Sequence, residues 1–298
     1  MKNRLKVGFI GYTDIVRGYL RAFEKIENIS FEGAYWSPDV VVPDDDYDGP
    51  VFSSPVDLYE AVDVVVFLGE KIRKKLIADA IRSLKHVFID DYTAVLNSDI
   101  EDLYNLAKEA EVMAHVSMPK MYYWNIADII DSTKNIRYVF FGKEQSHLNN
   151  KFQNDYIPEL AATLKLIGDN VLRVHRYNIP LLSKKVEMVD IRLEFANGIS
   201  ASISVNPCGF YDVQELRIVS EKSLVMLDLR KRENHALVKG AGKEVQKTVT
   251  NMEEIPFVEV NELKDFVEVI ETKRNNISTV SFGDLRRLYR CLQMMEEL

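Results

Sequence analysis

Gly11-Tyr12-Thr13-Asp14-Ile15-Val16 follows a short apolar run and opens a helical pattern, which is where a strand-to-helix loop can cradle a pyrophosphate. The dinucleotide fingerprint asks for a glycine at the turn, a second where the backbone meets phosphate, and a small third residue that lets the helix pack. Only Gly11 meets it: Thr13 takes the second position, Val16 the third, and Asp14 brings a carboxylate to a helix start that otherwise attracts anions. The simpler reading of Asp14 is a helix cap. We predict that these departures weaken a phosphate contact. At the end of the second apolar run, where a carboxylate normally holds the ribose hydroxyls, stand Trp36 and Ser37; Trp36 is a stacking surface for a base or a packing residue. Gly69 closes the third run. The candidate cofactor-binding set is therefore Gly11, Tyr12, Thr13, Asp14, Ile15, Trp36, Ser37 and Gly69.

A second group has the residue types of acid–base work. His115, Lys120, Tyr122 and Tyr123 surround Met118-Pro119, and Asp90-Asp91 ends the fourth apolar run. Adjacent residues on a strand point to opposite faces, so Asp90 and Asp91 are not a carboxylate dyad and only one faces a cleft. Asp91, His115, Lys120 and Tyr122 are the candidate catalytic residues. Tyr104 and Lys108 share a helical face at the spacing of short-chain dehydrogenases, but that class needs a glycine-rich loop this chain lacks. Asp44-Asp45-Asp46-Tyr47-Asp48-Gly49 imitates a calcium loop. Its twelfth position is Pro55 rather than the glutamate such a loop requires, so we read a solvated loop and expect no metal.

The elements that must position these residues follow from periodicity. Leu5 to Ile10, Phe31 to Trp36, Val64 to Leu68, Val87 to Ile89 and Val112 to Val116 read as strands; Ile15 to Ile26, Ile72 to Leu84 and Ile100 to Ala110 read as helices. Strands alternating with helices demand crossover connections, hence a doubly wound parallel sheet covered on both faces. After residue 120 the pattern changes. Val189 to Phe195 and Ile199 to Val205 alternate about Asn197-Gly198, a dipeptide that supplies positive φ angles to a tight hairpin. Glu215 to Val219 and Leu224 to Leu229 add strands, giving a mostly antiparallel sheet whose other face we expect helices at Pro158 to Ile167, Val258 to Thr272 and Phe282 to Glu297 to cover. The fold class is α/β: a Rossmann-type parallel sheet over residues 1–119, then an α+β domain with an open, mostly antiparallel sheet over residues 120–298.

The chain's 298 residues exceed what one core usually serves, and 47% hydrophobic with 28% charged residues excludes a disordered class. Lys+Arg 38 against Asp+Glu 46 gives a net charge of −8 with no basic block, which argues against nucleic acid. The apolar run after MKNRLK is too short for a signal segment or a membrane span, so a cytoplasmic protein without a membrane partner is expected. Cys208 and Cys291 form no metal-ligand spacing and no disulfide framework.

The order VGFIG, VDVVVFLG, LKHVFIDDY, EVMAHVSMP, and then IRLEFANGISASISV with ELRIVSEKSLVMLDL, resembles the Gfo/Idh/MocA family of sugar and cyclitol oxidoreductases over nearly the whole chain. The resemblance implies NAD or NADP, hydride transfer to or from a sugar-like small molecule, and a homo-oligomer formed through the C-terminal sheet. It also locates departures. The family's Glu-Lys-Pro is Asp90-Asp91-Tyr92 here, and Pro158 and Ala161 stand near the places of the later helix's Asp and His. Proline and alanine cannot relay a proton. Two functions follow as expectations: a non-catalytic ligand-binding or assembly protein on this fold, a pseudoenzyme, or an active NAD(P)-dependent dehydrogenase with a substituted proton relay.

Overall fold

Phe9 and its neighbours Val7, Gly8 and Ile10 are all buried, on both faces of their strand, and Val64–Leu68 is buried without exception. A strand reads as a continuous apolar run only when both its faces are covered. The computed structural model describes residues 4–13, 16–37, 47, 49–69, 72–97, 99–124, 135–145, 156–183, 186–239, 245–251, 258–273 and 279–296. The chain divides into two units, Met1–Tyr123 with Pro256–Tyr289, and Trp124–Ile255 with Arg290–Leu298.

The first unit runs β1 (Leu5–Gly11), α1 (Val16–Lys25), β2 (Ile29–Tyr35), α2 (Pro55–Ala61), β3 (Val64–Leu68), α3 (Lys74–Arg82), β4 (His86–Ile89), α4 (Asp99–Glu109), β5 (Ala114–Val116) and α5 (Pro119–Tyr123). Its sheet has the order β14-β5-β4-β3-β1-β2, parallel except for β14 (Val280–Ser281), which runs antiparallel to β5. The five expected parallel strands and three expected helices are present. Helix α2 went unread, although Ser54 caps it by accepting the Asp57 N–H at 3.2 Å and Pro55 occupies its first turn. Asp44, Asp45, Asp46 and Asp48 lie outside the described residues.

The remaining helices are α6 (Ile157–Ile167), α7 (Val258–Thr272) and α8 (Phe282–Glu296). The expectation that residues 258–272 cover the second sheet is wrong. Leu263, Phe266 and Val267 of α7 belong to one buried cluster with Val7, Phe9, Val16, Val64, Val66 and Phe88, so α7 covers the first sheet. An apolar stripe shows that a helix is buried but not against which sheet. Helix α8 starts from a reciprocal cap, in which Asp284 Oδ2 accepts the Ser281 N–H at 3.0 Å and Ser281 Oγ accepts the Asp284 N–H at 3.2 Å.

The second unit holds β6 (Ile136–Glu144), β7 (Val171–Ser183), β8 (Val186–Phe195), β9 (Ser200–Asn206), β10 (Val213–Ser220), β11 (Ser223–Asp228), β12 (Glu233–Lys239) and β13 (Val245–Asn251). They form an open sheet of order β13-β12-β11-β10-β6-β9-β8-β7, antiparallel throughout except for the pair β6 and β9. The β8–β9 hairpin is as expected, but its turn is not. Only Gly198 has a positive φ, +80°; the Gly198 N–H donates to the Phe195 carbonyl at 3.0 Å, and Phe195 N–H to the Ile199 carbonyl at 2.9 Å. The turn is thus a tight bend closed by one left-handed glycine rather than two positive-φ residues. On β9, Ala201, Ile203 and Val205 are buried, while Ser200 is exposed and Ser202 and Ser204 are half-buried. Under α6, buried Lys143 lies 4.0 Å from buried Glu159, whose Oε1 also accepts from Gln214 Nε2 at 3.0 Å. Among the described residues no helix is long and apolar enough to cross a membrane.

Candidate nucleotide-binding cleft

β1 and β3 lie side by side, with β2 on the far side of β1, so the chain leaves β1 in one direction and returns on the other. Such a switch point opens a crevice beyond the carboxyl ends of the strands. Two glycines make the crevice floor. Gly11 ends β1 at φ +86°, and a Cβ there would come within 2.3 Å of the Leu68 carbonyl oxygen. Gly69 follows β3 at φ +89°, and its Cβ would come within 2.6 Å of the Tyr12 carbonyl oxygen. The two turns pack backbone to backbone, and neither tolerates a side chain.

A cleft of about 1110 Å³ opens above them, lined by Gly11, Tyr12, Thr13, Tyr35, Ser37 and Gly69, and farther out by residues of α2 and α3. Thr13 uses its carbonyl to accept the Val16 N–H at 3.0 Å, which starts α1. Asp14 and Ile15 fall outside the described residues. Trp36 is not part of the cleft lining. Its ring meets Tyr12 edge-on at 6.3 Å and Tyr47 at 5.1 Å, so it packs in an aromatic cluster.

Asp90, rather than Asp91, is the carboxylate at this end of the sheet. Both its oxygens face the Gly69 N–H, at 2.9 and 3.1 Å, so it ties the end of β4 to the glycine turn. Burial is the main cause that lifts its carboxyl to about 7, and the Asp91 charge adds to the rise, while the Gly69 N–H pulls the other way. Asp91 does a different job: it accepts the Thr93 N–H at 2.9 Å and caps the short 3-10 turn Tyr92–Ala94.

The other expected catalytic residues are also placed structurally. His115 is buried against the Phe266 ring, 5.0 Å between centroids. The Tyr122 hydroxyl donates to Asp265 at 3.1 Å; burial and the Asp265 charge raise its pKa above the ordinary tyrosine range. Nearby, Glu262 accepts the Met118 N–H at 2.9 Å and bonds the Ser117 hydroxyl. These contacts dock α7 onto α5 and the end of β5. Lys120 stands exposed on α5. None of Asp91, His115, Lys120 and Tyr122 lines the cleft. The sequence reading missed Tyr35, Tyr59, Arg73, Lys75 and Arg82, which do. Arg73 and Lys75 stand at the start of α3 and Arg82 at its end.

No protein-family profile and no curated protein matches the chain. Solved structures do. UDP-N-acetylglucosamine 3-dehydrogenase GnnA from Acidithiobacillus ferrooxidans superposes with a TM-score of 0.78 at 16% identity, over 99% of this chain and 98% of that one. A dehydrogenase (MviM) from Clostridium difficile gives 0.74 at 18% identity, over 97% of each chain. The chain shares the fold of these dehydrogenases. An oxidoreductase from Agrobacterium radiobacter, solved in complex with NAD+, L-tartaric acid and magnesium, shares that fold at a TM-score of 0.75 and 13% identity, over 99% of this chain and 96% of that one. The residues present in the cleft fit an adenine nucleotide. Gly11 keeps the tight turn, Thr13 and Ser37 offer hydroxyls, and Val56, Ile72 and Leu76 give apolar walls. Pro158 and Ala161, which the sequence resemblance sets near the places of an Asp and a His, are both buried in α6. Among the described residues, no group of three or more His, Cys, Asp or Glu could hold a metal ion.

Proposed function

We propose that this chain binds a nicotinamide dinucleotide and a sugar-like small molecule on a dehydrogenase fold that lacks the inherited proton relay, and so acts as a ligand-binding or assembly protein. The cleft at the β1/β3 switch point, floored by the reciprocal Gly11 and Gly69 turns, supports the cofactor half. The structural engagement of Asp91, His115 and Tyr122 supports the other half. A bound nicotinamide would supply the hydride donor or acceptor. Gly11, Thr13 and Ser37 would hold its adenosine diphosphate portion. General acid–base assistance is typically worth about 10²- to 10⁴-fold, so turnover should sit at background without a relay.

The test is a titration of NADH and NADPH followed by tryptophan quenching, beside a turnover panel of sugars, sugar acids, inositols and nucleotide sugars. We expect micromolar or weaker binding, because Thr13 replaces the glycine where phosphate meets backbone, and tighter binding in the Thr13→Gly, Asp14→Asn double variant. No saturable binding overturns the cofactor half; robust turnover overturns the loss of the relay. A second reading, an active dehydrogenase with a substituted relay, is favoured by one observation, the Asp90 carboxyl at about 7 beside the cleft floor. Turnover that Asp90→Asn abolishes would establish it.

Self-association through the second-unit sheet belongs to the same proposal. Outer strand β7 exposes Tyr177, Ile179 and Leu181, and β9 offers a serine face. Sedimentation at micromolar concentration should report a dimer or larger, and a monomeric mass would exclude this.

A further inference from the structure

We propose that binding of an anionic nucleotide in the cleft is coupled to proton uptake by Asp90, with the Gly69 N–H standing between ligand and carboxyl. The inference rests on the dinucleotide reading above and deepens it by assigning that site a pH control. Gly69 lines the cleft, and Asp90 does not. The half-buried Asp90 carboxyl sits directly behind the glycine turn, its two oxygens 2.9 and 3.1 Å from the Gly69 nitrogen. Neither side of this contact is free to slide away. Gly69, at φ +89°, is packed against the Tyr12 carbonyl, and the Asp90 N–H donates to the Phe67 carbonyl at 3.0 Å. One peptide group therefore separates the carboxyl from the cleft.

Two effects of a bound anion act on that carboxyl with the same sign. A phosphate on one side of the peptide group repels a carboxylate on the other, across a gap with little water to screen it. The Gly69 N–H favours the charged form of Asp90, and a phosphate oxygen that competes for this donor removes part of that support. Both effects favour the proton. Asp90 is poised to respond, because burial already holds its carboxyl at about 7, where the protonated and ionised forms coexist near neutral pH. The titratable groups on the surrounding elements are Asp91 on the same strand end, His115 on β5 against the Phe266 ring, Glu262 of α7 bonded to Ser117, and, along the cleft, Arg73, Lys75 and the Asp79–Arg82 ion pair. Among the described residues, the charge that shifts Asp90 is that of Asp91, another carboxylate. Fixed charges elsewhere in the cleft set how tightly an anion binds. They leave the sign of the coupling unchanged, because two negative charges repel whatever surrounds them.

The experiment is calorimetric titration of NAD+ into the whole chain between about pH 6 and about pH 8.5, in two buffers of different ionisation enthalpy at each pH, which reads proton uptake directly. The NAD+ diphosphate does not titrate in this range. We expect uptake of up to about half a proton per NAD+ near pH 7, and a dissociation constant about fivefold or more larger at the alkaline end than at the acid end. Asp90→Asn should bind without proton uptake and with an affinity that no longer varies with pH, whereas Asp91→Asn should keep the uptake. Circular dichroism melting checks that each variant folds. An infrared difference spectrum of the parent needs no variant: NAD+ binding at neutral pH should raise a protonated-carboxyl band. Saturable binding with no uptake, or with proton release, overturns the inference and leaves the dinucleotide reading standing. No saturable binding at any pH overturns both. Uptake that persists in a folded Asp90→Asn protein overturns the assignment to Asp90.

Discussion

Asp90→Asn should remove most of the pH dependence of the first unit's stability between about pH 4 and pH 7, and should leave the variant more stable than the parent above that window. The Asp90 carboxyl is raised from 3.8 to about 7 in the folded chain, chiefly by burial. In the window the folded chain holds a proton that the unfolded chain has released, so stability falls as pH rises and the loss is complete above about 7. The shift corresponds to on the order of 4 kcal/mol, a ceiling because Asp90 is not fully buried. Asparagine keeps an oxygen for the Gly69 N–H and cannot ionise, so it retains the tie between β4 and the glycine turn without the charge. Urea unfolding of both proteins across the window decides it, read from Trp36 in a Trp124→Phe background that leaves one tryptophan. Parallel pH profiles would show that Asp90 ionises normally.

That carboxylate also marks where the sequence stopped being informative. Strand alternation requires one of Asp90 and Asp91 to point inward, but β4 is buried on both faces, so no polar side of the strand says which one. The cations at the start of α3 were hidden for a related reason: Arg73, Lys74 and Lys75 are consecutive in sequence, and only the folded chain separates the two that line the cleft from the one tied to α4. The first-unit strands were legible because β1 and β3 are apolar without interruption, and the β8–β9 hairpin because its two strands alternate strictly. Strand β7 was not. Pro180 interrupts its pattern, and proline is tolerated there because β7 is the outermost strand of its sheet. Gly11 was legible from its place after β1. The need for Gly69 appears only when the two turns are seen back to back, since no local pattern reports the Tyr12 carbonyl 2.6 Å from an added Cβ.

Phe266→Ala should destabilise the first unit by about 3–5 kcal/mol, the usual cost of deleting a buried aromatic ring. Phe266 is fully buried, 5.4 Å from the Phe88 ring on β4 and 5.0 Å from His115 on β5, so truncation opens a cavity between α7 and the sheet that rigid strands cannot close. It also tests where α7 belongs, because residues 258–272 follow the second unit's strands in sequence and were expected to cover that sheet. The two tryptophans separate the answers. Trp36 lies in the first unit; Trp124 lies in the second, buried against Phe141 at 5.5 Å. With Trp124→Phe as the background that reports Trp36 and Trp36→Phe as the background that reports Trp124, Phe266→Ala should lower the urea midpoint reported by Trp36. Ile203→Ala, a fully buried position on β9, serves as the matched second-unit lesion and should move the Trp124 signal more than the Trp36 signal. If Phe266→Ala instead moves Trp124 and spares Trp36, α7 packs on the second sheet. The first sheet would then lack Leu263, Phe266 and Val267 from its core, and Glu262 could not accept the Met118 N–H.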